Sequence, residues 1–175
     1  MKKYVALLRG INVGGNNKVE MKKLKQVFEK LGHGNVSTYI NSGNVIFESK
    51  TEPKAGDIEK VLKKTFGFAI GVVLRDAKSI AKVVKAIPAG WDNNSEVKTD
   101  VLFLWNEFSK KSSLNLITPH PEADQLKYTD GAIIWRITRE FHTKSGVRKF
   151  IGTPLYKNMT ARNVNTVRKL ALLMK

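Results

Sequence analysis

The stretch "RGINVGGNNK", Arg9 to Lys18, is the first part of the sequence whose residue types suggest chemistry. It follows the apolar run Tyr4 to Leu8 and precedes a helical pattern, a layout whose free backbone N–H groups suit phosphate or carboxylate. Gly10 and Gly15 have the spacing of a phosphate-binding P-loop, but Asn16 and Asn17 stand where its lysine and hydroxyl residue belong. The groups for a terminal phosphate and magnesium are therefore missing, which argues against a nucleotide triphosphatase. The dinucleotide pattern fails as well, because Asn12 replaces its second glycine and no acid ends the next strand. Two readings stay open. In one, Arg9 and Lys18 help the loop hold an anion; in the other, Gly14 and Gly15 only permit positive φ in a tight turn.

The closing stretch "MTARNVNTVRKLALL" reads as a helix beginning near an N-cap at Thr160. At about 100° per residue, Val164, Val167, Leu170, Ala171 and Met174 share one face, and Arg162, Asn165, Thr166 and Lys169 lie roughly opposite. A solvated amphipathic helix accounts for that pattern. The rival reading has Arg162 and Lys169 grip an anion while Asn163, Asn165 and Thr166 add hydrogen bonds, which would explain an arginine set against the dipole of the first turn.

Catalytic signals are thin. His33 lies between glycines, His120 between prolines and His142 in a polar stretch, and none has metal-ligand spacing with another. Ser42 in "NSGN" reads as a turn residue. The sequence thus indicates no catalytic residue, metal or cofactor, although a constellation assembled in space would escape such a reading.

Thirty-one Lys and Arg against 15 Asp and Glu give a formal charge of +16 in 175 residues, which favours anionic partners. No acid follows Glu140. There is no cysteine, which excludes disulfides and thiolate chemistry and fits a reducing cytoplasm. The opening "MKKYVALLRG" imitates a signal peptide, but Arg9 interrupts the apolar run too early for a secretory core, and no run approaches a membrane span. The expectation is a cytoplasmic protein with no membrane partner; its oligomeric state is not indicated.

The elements that would position these residues follow from periodicity. Tyr4 to Leu8 predicts a buried strand. Asn17 and Glu20 have capping-box spacing before a helix with Met21, Leu24, Val27, Phe28 and Leu31 on one face. "NVSTYINSGNVIFES" predicts a hairpin about Ser42-Gly43. A helix from about Pro53 to Phe66 and a strand from Phe68 to Leu74 complete a βαββαβ order, the ferredoxin-like split unit. Residues 76–175 form a second, smaller α+β unit: a helix capped by Asp76, a strand from Val97 to Trp105, an ambiguous Glu107 to Ile117, a hairpin about Asp130-Gly131, and the closing basic helix. Trp135 and Arg136 alternate within an apolar strand, so one of them faces the core. No internal sequence repeat is evident.

"LLRGINVGG", "TYINSGNVIF", "KFIGTPLYKNMTARN" and "NTVRKL" together resemble the bacterial domain-of-unknown-function family numbered 1697. The resemblance runs nearly end to end and implies an α+β protein with a ferredoxin-like first part packed with a smaller second part. It implies no activity. Its characteristic polar positions fall on Arg9, Asn12, Gly14, Gly15 and Lys18, on Tyr39, Ser42, Gly43 and Asn44, and on Thr160, Arg162, Asn163, Thr166 and Lys169.

The leading expectation is a protein that binds an anionic small ligand, a nucleotide or phosphorylated metabolite, between the "RGINVGG" loop and the last helix. Sequence-independent nucleic-acid binding through a basic surface is the second reading. Standard RNA recognition fails, because Asn44 and Ile46 occupy the places of its two stacking aromatics. The third is an enzyme acting on a phosphorylated or nucleotide substrate.

Overall fold

The unbroken apolar run at Tyr4–Leu8 needs cover on both sides, and it lies inside strand β1 (Lys2–Leu8), which pairs with a neighbour along each edge. The computed structural model describes residues 1–175 apart from the Asn106 side chain. The chain divides into two units, Met1–Lys78 with Leu172–Lys175, and Ser79–Ala171.

In the first unit β1 is followed by α1 (Met21–Lys30), β2 (Gly34–Tyr39), β3 (Asn44–Ser49), α2 (Ala55–Phe66) and β4 (Val72–Asp76). The sheet order is β2-β3-β1-β4, with every neighbouring pair antiparallel. This mixed α/β, βαββαβ arrangement is consistent with a ferredoxin-like unit. Alternation along the strands sends Tyr4, Ala6, Leu8, Val45, Phe47 and Val72 into one core with Leu24, Val27 and Phe28 of α1 and Ile58 and Leu62 of α2. Both helices therefore cover one face of the sheet. Val5, Leu7, Ile46 and Val73 alternate to the other face and are buried too, which is why β1 carries no polar positions in its middle.

The second unit contains most of α3 (Ala77–Ala86), then β5 (Val97–Leu104), two 3-10 turns at Asn106–Phe108 and Lys111–Leu116, β6 (Asp124–Thr129) and β7 (Ala132–Thr138). A 3-10 segment at Arg139–Lys144, α4 (Val147–Phe150), α5 (Pro154–Lys157), β8 (Met159–Asn163) and α6 (Val164–Leu173) complete the chain. Its sheet order is β6-β7-β5-β8, again antiparallel throughout. Position for position this is the order of the first sheet, with short helical turns in place of α1 and α2.

The correspondence extends to single hydrogen bonds. Leu8 N donates to Gly43 O at 2.8 Å, and Leu104 N to Gly131 O at 3.0 Å. Arg9 N donates to Gly71 O at 2.9 Å, and Trp105 N to Asn158 O at 3.1 Å. Val5 faces Arg75 across the first sheet as Val101 faces Arg162 across the second, and each arginine bonds the carbonyl just before it, Leu74 O at 3.1 Å and Ala161 O at 2.8 Å. A repeat of topology is thus present where no repeat of sequence is evident. Strand register constrains inward volume and turn geometry, and many sequences satisfy both.

Three boundaries differ from the sequence expectation. Helix α1 starts at Met21 with Glu20 as its N-cap, so Asn17 and Glu20 form no capping box; Asn17 instead takes φ 51 and its side chain donates to Gly10 O at 3.0 Å. The fourth strand covers Val72–Asp76, so Asp76 ends a strand and α3 begins at the next residue. The last helix begins at Val164, not near Thr160. Residues 159–163 form β8 because β5 offers them an open ladder edge, and the side-chain cap of α6 is Asn163, whose Oδ1 accepts from Asn165 N at 2.9 Å.

The segments after β7 are held by one buried carboxylate. Asp124, 6% exposed, accepts four hydrogen bonds: from Trp135 Nε1 at 2.9 Å, Ser145 Oγ at 2.6 Å, His120 N at 2.8 Å and Gly146 N at 2.7 Å. Trp135 is the member of the Trp135–Arg136 pair that faces the core. A Cβ on Gly146 would collide with the Thr118 carbonyl oxygen, so only glycine brings this amide to the carboxylate. Desolvation opposes ionisation of Asp124, but the four donors outweigh it and hold the carboxyl below its ordinary 3.8. A depressed folded-state value means that the ionised carboxylate stabilises the fold above the unfolded value and that this contribution fades as pH falls below it. Asp124→Asn should therefore lose about 3 kcal/mol at pH 7 in urea unfolding. The gap between variant and wild type should narrow below pH about 4.

Candidate functional site

The loop between β1 and α1 is organised by Asn12. Its Oδ1 accepts from Val19 N at 2.8 Å, and its Nδ2 donates to Val19 O at 3.0 Å and to Asn41 O at 2.9 Å. One side chain thereby joins the loop to the approach of α1 and to the β2–β3 turn. Asn12 takes φ 54, a left-handed conformation that asparagine tolerates better than most residues. Beyond it Val13 and Asn16 form a bridge, with Asn16 N donating to Val13 O at 3.1 Å. Gly14 and Gly15, at φ 58 and 79, make the two-residue tip of this small hairpin, as a primed turn demands. The tip is exposed and its glycines meet no crowding, so their role here is conformational.

Beside this hairpin lies a concavity of about 500 Å³, lined among others by Asn12, Gly15, Lys18, Glu20, Lys22 and Asn41. Lys22 and Lys23 occupy the first turn of α1, where no acid sits, and both oppose the helix dipole. The amides of Met21, Lys22 and Lys23 precede the first intrahelical bond, Leu24 N to Glu20 O at 2.9 Å. Glu20 at the N-cap is exposed, and its side chain makes no capping bond. Two ammonium groups and a helix start thus edge the same hollow, with a carboxylate on its rim. Asn12, Gly15 and Lys18 are expected site residues that the fold brings together here; Lys22 and Asn41 join them without having been singled out.

The remaining expected residues are distributed as follows. Arg9 follows β1, half-buried, and Tyr39 and Asn44 face each other across the β2–β3 pair. Asn44 is fully buried and its Nδ2 donates to Tyr39 O and to Ser42 Oγ, both at 3.0 Å, which makes it a brace of the turn. A Cβ on Gly43 would stand 2.8 Å from Ile11 Cδ1 and from Leu8 Cβ. In the second unit Arg162 belongs to β8, is 6% exposed and donates to Thr160 Oγ1 at 2.9 Å as well as to Ala161 O. Burial pushes its pKa down to about 10, so the guanidinium stays charged at neutral pH. Asn163 caps α6, Thr166 is half-buried on it, and Lys169 is exposed.

Of the histidines, His33 packs its ring 4.4 Å from that of Phe47, and burial pushes its pKa down. Among the described residues no group of three or more His, Asp or Glu is placed to hold a metal ion. No helix is long and apolar enough to cross a membrane among the described residues. Asn12→Asp would replace both donations by carboxylate facing carbonyl oxygens. It should cost about 2 kcal/mol in urea unfolding and raise the hydrogen-exchange rate of the Val19 amide, whereas Asn16→Asp at the exposed tip should change neither.

Comparison with known proteins agrees with this architecture. The chain is similar to the conserved bacterial protein SP0830 from Streptococcus pneumoniae, with 29% identity, a TM-score of 0.81 and 99% of each chain covered. No match is found among curated proteins. A family model described as a protein of unknown function, DUF1697, matches residues 1–134. With most of its length matched, the chain belongs to the DUF1697 family.

Proposed function

We propose that this protein binds an anionic small molecule, a nucleotide or a phosphorylated metabolite, in the concavity beside the Asn12 loop. The observation that carries the reading is the placement of Lys22 in the first turn of α1 with Lys18 just ahead, both lining the same hollow. Cations there destabilise the helix on their own, and a bound phosphate would turn the same arrangement into a favourable one. Lys18 and Lys22 supply charge, the opening amides of α1 supply directed donors, and Asn12 holds the loop in shape before any ligand arrives. Glu20 on the rim selects for ligands whose negative group keeps clear of it. The reading takes the first unit as a ferredoxin-like fold and the cysteine-free chain as a cytoplasmic one.

A thermal-shift series over nucleotides and phosphorylated metabolites tests it. At least one ligand should raise the melting temperature of the wild type in a concentration-dependent way. Lys18→Ala with Lys22→Ala should weaken that ligand by about 10-fold or more, and Glu20→Gln should tighten it by a few-fold, about 1 kcal/mol. A wild type that responds to nothing at millimolar concentration, or a double variant that responds as the wild type does, rejects the reading.

A further inference from the structure

We propose that the outer face of the α1–α2 layer is a docking surface for the phosphate backbone of duplex DNA. The two helices cover the same side of the first sheet, and Lys23 of α1 reaches over the Phe66 ring of α2, 5.3 Å from its centroid, so they form one continuous layer. The side turned away from the core exposes Lys23, Lys25 and Lys30 of α1 and Lys60, Lys63 and Lys64 of α2. Acids are few. Glu29 pairs with Lys25 at 3.7 Å, Glu59 is engaged by Val72 N at 2.8 Å, and Asp57 lies in the first turn of α2. Lys30, Lys63 and Lys64 sit in last turns, where the dipole explains them. Lys25 is the partner of Glu29, Lys23 opposes the dipole and lies over Phe66, and Lys60 in the middle of α2 has no such local explanation.

The composition of this face selects the partner. None of the large exposed apolar side chains among the described residues lies on α1 or α2, so the layer offers no anchor for a membrane or for an apolar protein patch. It has no exposed aromatic on which unpaired bases could stack, because Phe66 is covered by Lys23, and this disfavours single strands. What is left is a cationic ridge of helix surface suited to a dense row of phosphates. One helix of such a ridge matches the width of the major groove of B-form DNA, while the deep, narrow major groove of A-form RNA excludes it. The surface uses neither Lys18 nor Lys22, so it does not rest on the small-ligand reading.

The experiment measures binding of the full-length protein to a 20-base-pair DNA duplex, about two helical turns, by fluorescence anisotropy from 50 to 200 mM salt, alongside duplex RNA and single-stranded DNA of equal length. With about four phosphates neutralised, affinity for duplex DNA should fall on the order of 100-fold across that range. The variant Lys30→Gln, Lys60→Gln, Lys63→Gln, Lys64→Gln should flatten the salt slope and weaken binding at least 10-fold, and the same four positions changed to Arg should keep it. A control with an equal loss of charge elsewhere, Lys110→Gln, Lys111→Gln, Lys127→Gln, Lys149→Gln, should bind as the wild type does. Circular dichroism and the midpoint of urea unfolding report whether each variant is folded. Overturning results are absence of binding at 50 mM salt, equal weakening by the helix and control variants, or RNA duplex or single strand bound as tightly as duplex DNA.

Discussion

The side chain of Asn12 ties three backbone segments together, and the geometry around the concavity follows from it. A carboxamide is the side chain that can accept from Val19 N while donating to Val19 O and Asn41 O at the same time, because acceptor and donors sit on one planar group. With the loop tied down, its exposed hairpin tip needs no packing of its own, and its left-handed positions, Gly10, Asn12, Gly14, Gly15 and Asn17, are all taken by glycine and asparagine.

Each unit has solved the same topological problem with different means. A pair of central antiparallel strands, β1 with β3 and β5 with β7, carries an edge strand on each side, and the same amide-to-glycine bond closes the hairpin corner in both. The first unit covers its sheet with two regular helices. The second uses short turns tied down by the Asp124 carboxylate, whose four donors replace part of the apolar burial that a full helix would bring. A buried anion carries large free energy in either direction, since any missing donor leaves it unsatisfied. The side chains that fill the two cores differ accordingly, although their registers agree.

The positive charge has a physical cost, because like charges repel one another in the compact state. Five ion pairs are present among the described residues, most of them well exposed, and such pairs contribute little in water. A formal charge of +16 therefore acts as a standing field rather than as a set of local bonds, stronger at low salt and screened over about 10 Å near 0.1 M.

Periodicity and turn chemistry were enough to read β1, the βαββαβ order, both hairpins and the inward faces of α1 and α2, because each depends on residues close in sequence and on burial that repeats at 2.0 or 3.6 residues. The family, too, could be read from local motifs. Local signals misplaced Asn17 and Thr160 for one reason: each resembles a helix cap, and each is claimed instead by a partner from elsewhere, Gly10 O or β5. Asp124 gave no signal at all, since its four donors come from residues 120, 135, 145 and 146. The sequence alone determined the strands and helices of the first unit and the large positive charge of the chain. Tertiary structure decided which polar groups are spent inside the fold, as Asn12, Asn44 and Asp124 are, and which cations stay at the surface, because hydrogen-bond partners distant along the chain are chosen only when the sheets form.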